Sequence, residues 1–279
     1  MMNKQRGKTR LLITIFLINL AYVINLSYAN ASGDEFPGRK LYPAVKYITI
    51  KDLKNKLNEV VVVDVRSKYE YQTLRIKGAR HIAISNKKFV HEMKQLRAKV
   101  GDKDIVVYCN GKTCMKSYKA ASKCQDYDVN GVVAYDAGIM DWAKIYPHDS
   151  VLLGKSPIDT DDLIIRKKFN SYLLTPDEFE KQFSKKKSIV VDLRDSFQRD
   201  ATGIYVGLEV RINIDDKKAL KTIIEKAKKE EKALFIYDAA GKQIRWLMYF
   251  LEANNTKEYY FMKGGARGYF KSLQEKYTS

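Results

Sequence analysis

Cysteine and histidine are scarce in this sequence, three of each among 279 residues, and each scarcity excludes a class of molecule. Three cysteines cannot build a disulfide scaffold, and an odd count leaves at least one thiol free. His81, His91 and His148 stand far apart, so no zinc site is expected, and no other metal or cofactor is called for. Acidic residues are outnumbered, 33 against 51 lysines and arginines, for a formal charge of +18. The lysines are scattered singly or in short runs such as Lys185-Lys186-Lys187, without the interleaved aromatics of a nucleic-acid track. The excess therefore reads as a solvated lysine-rich surface, and no nucleic-acid partner is expected.

There is one long apolar run, Leu11 to Leu26, and its sixteen residues fall short of the ~20 that cross a bilayer. Residues 1–10 carry four positive charges and no negative one, and small residues follow the run at Ser27 to Ala31. A basic start, an apolar middle and a small-residue exit predict a cleaved export signal over 1–31 and a periplasmic or otherwise exported protein. On this reading the mature chain has no stable membrane span; retention of the segment as an N-terminal anchor is the alternative.

What the sequence does have is a cluster: Cys109, Cys114 and Cys124 fall within sixteen residues. Ile105 to Tyr108 reads as a short buried strand, with Cys109 at its carboxyl end. Asn110, Gly111, Lys112 and Thr113 make a small polar turn, and from Cys114 onward the composition is helical. Strand, cysteine, tight loop and helix place the Cys109 thiol above a row of loop amides at the positive end of a helix, which predicts a thiolate there. A buried structural cysteine is the plainer alternative.

Around this unit, strand-like runs alternate with helical ones. Residues 32–46 form a tether containing Pro37 and Pro43, and Thr49 caps a helix start. Val60 to Val65 makes a strand carrying Asp64, Gly78 to Ile82 a turn and short strand, and Phe89 to Val100 a helix. Gly131 to Tyr135 forms a further strand, followed by a loop from Asp136 into a last helix. A hydrophilic connector spans 147–170, after which the order recurs. Thr175 answers Thr49, Asp192 answers Asp64, Asp238 answers Cys109 and Gly265 answers Gly138, at offsets of 126, 128, 129 and 127. Four landmarks in register predict a duplication, with domains at 47–146 and 171–279. The fold class is α/β, with a parallel sheet in each half.

Four segments carry a family resemblance. Val63-Asp64-Val65-Arg66 through Glu70-Tyr71, the Gly78 to Ile82 turn, Val107-Tyr108-Cys109-Asn110-Gly111, and Ala137-Gly138 through Trp142 resemble, in order and spacing, the motifs of tandem rhodanese-like sulfurtransferases. The resemblance implies two tandem rhodanese-like domains, each a central mostly parallel sheet flanked by helices. It implies a persulfide on Cys109, formed from a small anionic donor such as thiosulfate and discharged to a thiol, to cyanide or to a partner protein. Two departures stand out. Met115 and Lys116 occupy the end of the loop where the family often has an arginine, and the path from Cys109 to Ser117 is about two residues longer. A lysine gives a point charge in place of a bidentate fork. The second half has Asp238 where a loop cysteine would stand, and a carboxylate cannot accept sulfane sulfur; that half is expected to be degenerate.

Asn110, Gly111, Lys112, Thr113, Cys114 and Lys116 are then the expected substrate-binding residues, with Asp64 and Arg66 as a supporting carboxylate–guanidinium pair. Cys114 reads either as a resolving thiol or as a loop residue whose backbone N–H matters more. Cys124, His81, Trp142 and Trp246 read as packed residues. A non-catalytic binding module and a thiol-redox protein using Cys109 and Cys114 remain the competing functions.

Overall fold

In the computed structural model, residues 35–195, Gln198 and 203–278 are described. The export signal expected over 1–31 lies outside them. Among the described residues, no helix is long and apolar enough to cross a membrane.

The chain divides into two compact units, the first made of residues 35–66 and 78–142. Its sheet has five strands: β1 (Tyr47–Ile48), β2 (Val61–Asp64), β4 (Arg80–His81), β5 (Ile105–Tyr108) and β6 (Val132–Tyr135). They lie in the order β1-β6-β5-β2-β4 with every pairing parallel. β2 and β5 are short runs dominated by β-branched residues, and all four residues of β5 are buried. Such unbroken apolar runs belong to parallel strands covered on both faces. The helix Phe89–Val100 buries Phe89, Met93 and Leu96, one stripe at helical spacing. The helix Lys116–Asp126 buries Tyr118, Ala120, Ala121 and Cys124, and its two alanines let it lie close to the sheet. The core joins these residues to Val63, Val65, Val107, Cys109 and Ala134.

The second unit comprises residues 67–77 and 143–278. Its five-stranded sheet holds β8 (Leu173–Leu174), β9 (Ser188–Asp192), β10 (Glu209–Arg211), β11 (Ala233–Tyr237) and β12 (Tyr259–Met262). The order β8-β12-β11-β9-β10 repeats that of the first sheet strand for strand, again all parallel. Its core is aromatic, built on Phe179, Tyr205, Phe235 and Tyr237.

Two differences from the sequence reading concern the connector. Residues 147–170 are not a bare hydrophilic link: they bury Ile158, Leu163, Ile164 and Phe169 and contain the helix Arg166–Asn170. They also contain β7 (Ser150–Leu152), which pairs antiparallel with β3 (Leu74–Ile76). This pairing draws Ser67–Lys77 into the second unit. Partners some 75 residues apart leave no local signal in either segment.

Candidate functional site

The register places the site. Asp64, Tyr108 and Tyr135 sit side by side at the carboxyl ends of β2, β5 and β6. Cys109 is the next residue beyond β5, where parallel sheets open to ligands. Its carbonyl accepts from the Ile139 N–H at 3.0 Å, fastening the start of the loop to the segment after β6. Gly138 makes that approach possible. Its φ is +75°, and a Cβ there would lie 2.3 Å from the Gly111 nitrogen. Only glycine fits against the loop backbone.

Asp64 and Arg66 form a buried ion pair. The Arg66 Nη2 donates to Asp64 Oδ2 at 2.6 Å and its Nε to Oδ1 at 2.9 Å, with both side chains buried. The same guanidinium donates from Nη1 to Asn110 Oδ1 at 3.0 Å and lies 5.5 Å from the Tyr108 ring centre. Arg66 thus ties the loop to the strand beneath it. His81 meets the Arg66 carbonyl at 2.9 Å, a packed residue as expected.

The loop then folds back on itself. The Cys114 N–H donates to the Gly111 carbonyl at 2.8 Å. This brings two sulfurs together. The Cys109 Sγ donates to the Cys114 carbonyl at 3.0 Å and stands 3.8 Å from the Ser117 Oγ, inside a fully buried pocket. Burial pushes the Cys109 thiol well above the ordinary range, and the bond to Cys114 adds to the shift; the Ser117 N–H and hydroxyl pull weakly the other way. The half-buried Cys114 behaves oppositely. The Cys109 thiol, the N–H groups of Asn110 and Lys116 and the Lys116 charge all favour its anion. The Cys109 bond leads these effects, and together they lower Cys114 to about 6 against its own burial. Met115, the N-cap of the helix Lys116–Asp126, makes no side-chain cap.

Burial works against the thiolate expected at Cys109. The N–H groups of Asn110 and Lys116 favour the anion at Cys114 instead, while Cys109 is fully buried at the strand end. Lys112 also differs from expectation. It is ion-paired with Glu35, lies 3.7 Å from Asp141 and stands over the Phe36 ring, so two carboxylates offset its charge. Thr113 is exposed. Cys124 is core, and burial raises it to about 12. Trp142 is buried edge-on to Tyr135.

Ser117 and Asp136 escaped the sequence reading. Asp136 is buried, accepting from the Tyr118 hydroxyl at 2.7 Å and the Arg39 Nε at 2.9 Å. Its place after β6 mirrors that of Cys109 after β5, which was the available signal. Ser117 lies one helical turn beyond Thr113, and nothing short of the fold turns it toward Cys109.

The second unit repeats the frame with a different occupant. Arg194 clasps Asp192 through Nε at 3.0 Å and Nη2 at 2.9 Å, and lies 5.4 Å from the Tyr237 ring centre. The Asp238 carbonyl accepts from the Ala266 N–H at 2.8 Å, as Cys109 does from Ile139. The Asp238 carboxylate fills its own loop, accepting from the N–H groups of Ala240 at 2.9 Å, of Gly241, and of Gln243 at 2.7 Å. A built-in anion occupies that cradle. Among the described residues, no cluster suited to a metal occurs.

Residues 49–145 match the family model of the rhodanese-like domain, so one such domain is present in the chain. An HTH-type transcriptional regulator of Mycobacterium tuberculosis is 34% identical over 89 residues, which are 32% of this chain and 37% of the regulator. The chain thus spans little more than a third of that curated relative. Among solved structures, a thiosulfate sulfurtransferase from Pseudomonas aeruginosa is similar at 15% identity and a TM-score of 0.38, over 82% of this chain and 43% of that one. A protein from Bacillus halodurans is similar at 22% identity and a TM-score of 0.35, over 53% of this chain and 98% of that one.

Proposed function

We propose that this chain, with its rhodanese-like domain at 49–145, is a sulfurtransferase that carries sulfane sulfur as a persulfide in the Cys109 loop. The observation that supports it best is the placement of two cysteines within one loop at the carboxyl end of the central strand β5, the first bonded to the carbonyl of the second at 3.0 Å. A thiolate attacks the outer sulfur of an anionic donor such as thiosulfate, sulfite leaves, and loop N–H groups hold the persulfide anion. A thiol or cyanide then takes the sulfane sulfur.

The second half is proposed as a degenerate copy. The repeated strand order and the Asp192–Arg194 clasp support a duplication. Asp238 supplies no nucleophile, and its carboxylate already takes the N–H groups that an anionic donor would need. The charge pattern of residues 1–31 supports an exported protein.

Mass spectrometry with thiosulfate tests the activity. Wild-type protein is expected to gain about 32 Da, one sulfur, and to yield thiocyanate when cyanide is added. Cys109→Ser should sharply lower thiocyanate formation. A loss of about 2 Da on mild oxidation without sulfur uptake would instead support the thiol-redox function. Neither change would leave a binding module.

A further inference from the structure

The two sulfurs of the loop are unlike in every respect that bears on reactivity. Cys109 is fully buried and donates into the loop's own carbonyl at 3.0 Å. An anionic donor arriving from solvent cannot reach it without displacing that bond. Cys114 is half-buried and lies two residues before the helix Lys116–Asp126, its backbone N–H held by the Gly111 carbonyl at 2.8 Å, and the N–H groups of Asn110 and Lys116 favour its anion. Lys116 is the charge that bears on it, and Cys109 the titratable group. A nucleophile needs the anion and access together. Of the two, Cys114 is the one within reach of solvent, and its surroundings favour the anion.

We propose that Cys114 captures the sulfane sulfur from the donor and passes it to Cys109. This rests on the sulfurtransfer reading above and deepens it. In the first step the Cys114 thiolate forms a bond to the outer sulfur of thiosulfate, the donor's S–S bond breaks, and sulfite leaves with the electron pair. The persulfide anion on Cys114 then lies beside the Cys109 thiol. In the second step the Cys109 sulfur attacks the sulfane sulfur and the bond to Cys114 breaks. The Cys109 proton moves to the departing Cys114 sulfur, so one thiol and one persulfide anion stand on each side of the step. No oxidant or reductant is consumed. The arrangement lets the exposed sulfur collect and the buried one store, where water and stray thiols are excluded. It also accounts for the loop's extra length, which returns a second sulfur to the first.

The test compares wild type, Cys109→Ser and Cys114→Ser with thiosulfate and with cysteine persulfide as donors. Trypsin cuts after Lys112 and after Lys116, so the two cysteines report on separate peptides. At pH 6.5, Cys109→Ser, whose hydroxyl can still donate toward Cys114, should gain one sulfur on the Cys114 peptide. Cys114→Ser should load Cys109 at least tenfold more slowly than wild type, the gap narrowing as the pH approaches 9. Iodoacetamide labelling of Cys114 in Cys109→Ser at pH 6.5 checks that its loop is intact. Equal loading of wild type and Cys114→Ser at pH 6.5 would overturn the relay. So would a labelled, folded Cys109→Ser that never takes sulfur. If wild type gains no sulfur from either donor, the sulfurtransfer reading itself falls, an outcome distinct from both.

Discussion

Arg66 holds three parts of the site at once: the Asp64 carboxylate, the Asn110 amide and the face of Tyr108. Its fork geometry is what makes this possible, since one ammonium cannot reach both neighbours. Arg66→Ala would strand a buried carboxylate, and the expected loss of stability is about 3–5 kcal/mol, read by chemical denaturation. Arg66→Lys should keep much of that stability but release Asn110, so sulfur loading falls while the protein remains folded. In the second unit, the residue to change is Asp238. Asp238→Ala leaves the N–H groups of Ala240 and Gln243 without their acceptor, and an expected cost of about 1–3 kcal/mol follows from the lost bonds. Unchanged stability in that variant would mean that water replaces the carboxylate freely.

At the scale of elements, the site depends on a helix start and a glycine. The Lys116 N–H and the Lys116 charge both favour an anionic Cys114. Lys116→Glu reverses the charge, so the Cys114 titration should move up from about 6, and its iodoacetamide labelling at pH 6.5 should slow. A titration that stays in place would assign the effect to the amides and the Cys109 thiol alone. Gly138 is where the segment after β6 touches the loop. Gly138→Ala adds a left-handed penalty of about 1–2 kcal/mol. It also adds a collision with Gly111 backbone that no side-chain rotation relieves. Loss of sulfur loading together with lowered stability is the expected result.

For the molecule as a whole, Cys114 couples the site to folding. Its native titration near 6 lies below the value of about 8.5 for a free cysteine, so between those values the unfolded chain binds the extra proton. Stability from this group is therefore present above the unfolded value and is lost as the pH falls through about 6. The melting temperature of wild type relative to Cys114→Ser should rise between pH 6 and pH 8. A constant difference would show that Cys114 is not held as an anion.

Much of this architecture was legible in the linear chain. Thr49 and Thr175 both cap helices as expected, the helix over Phe89–Val100 matches its apolar stripe, and the β-branched runs became central strands. These features follow from local periodicity and capping chemistry, which act over a few residues and so can be read without a fold. The motifs of the loop and its glycines were legible for the same reason. What the tertiary structure alone decided is which sulfur is fully buried, that Glu35 and Asp141 engage Lys112, and that β3 joins β7. Each depends on groups distant in the chain, or on the difference in burial between Cys109 and Cys114. Charge on a thiol is set by that burial and by the direction of converging N–H groups, and a sequence carries neither until the chain has closed around them.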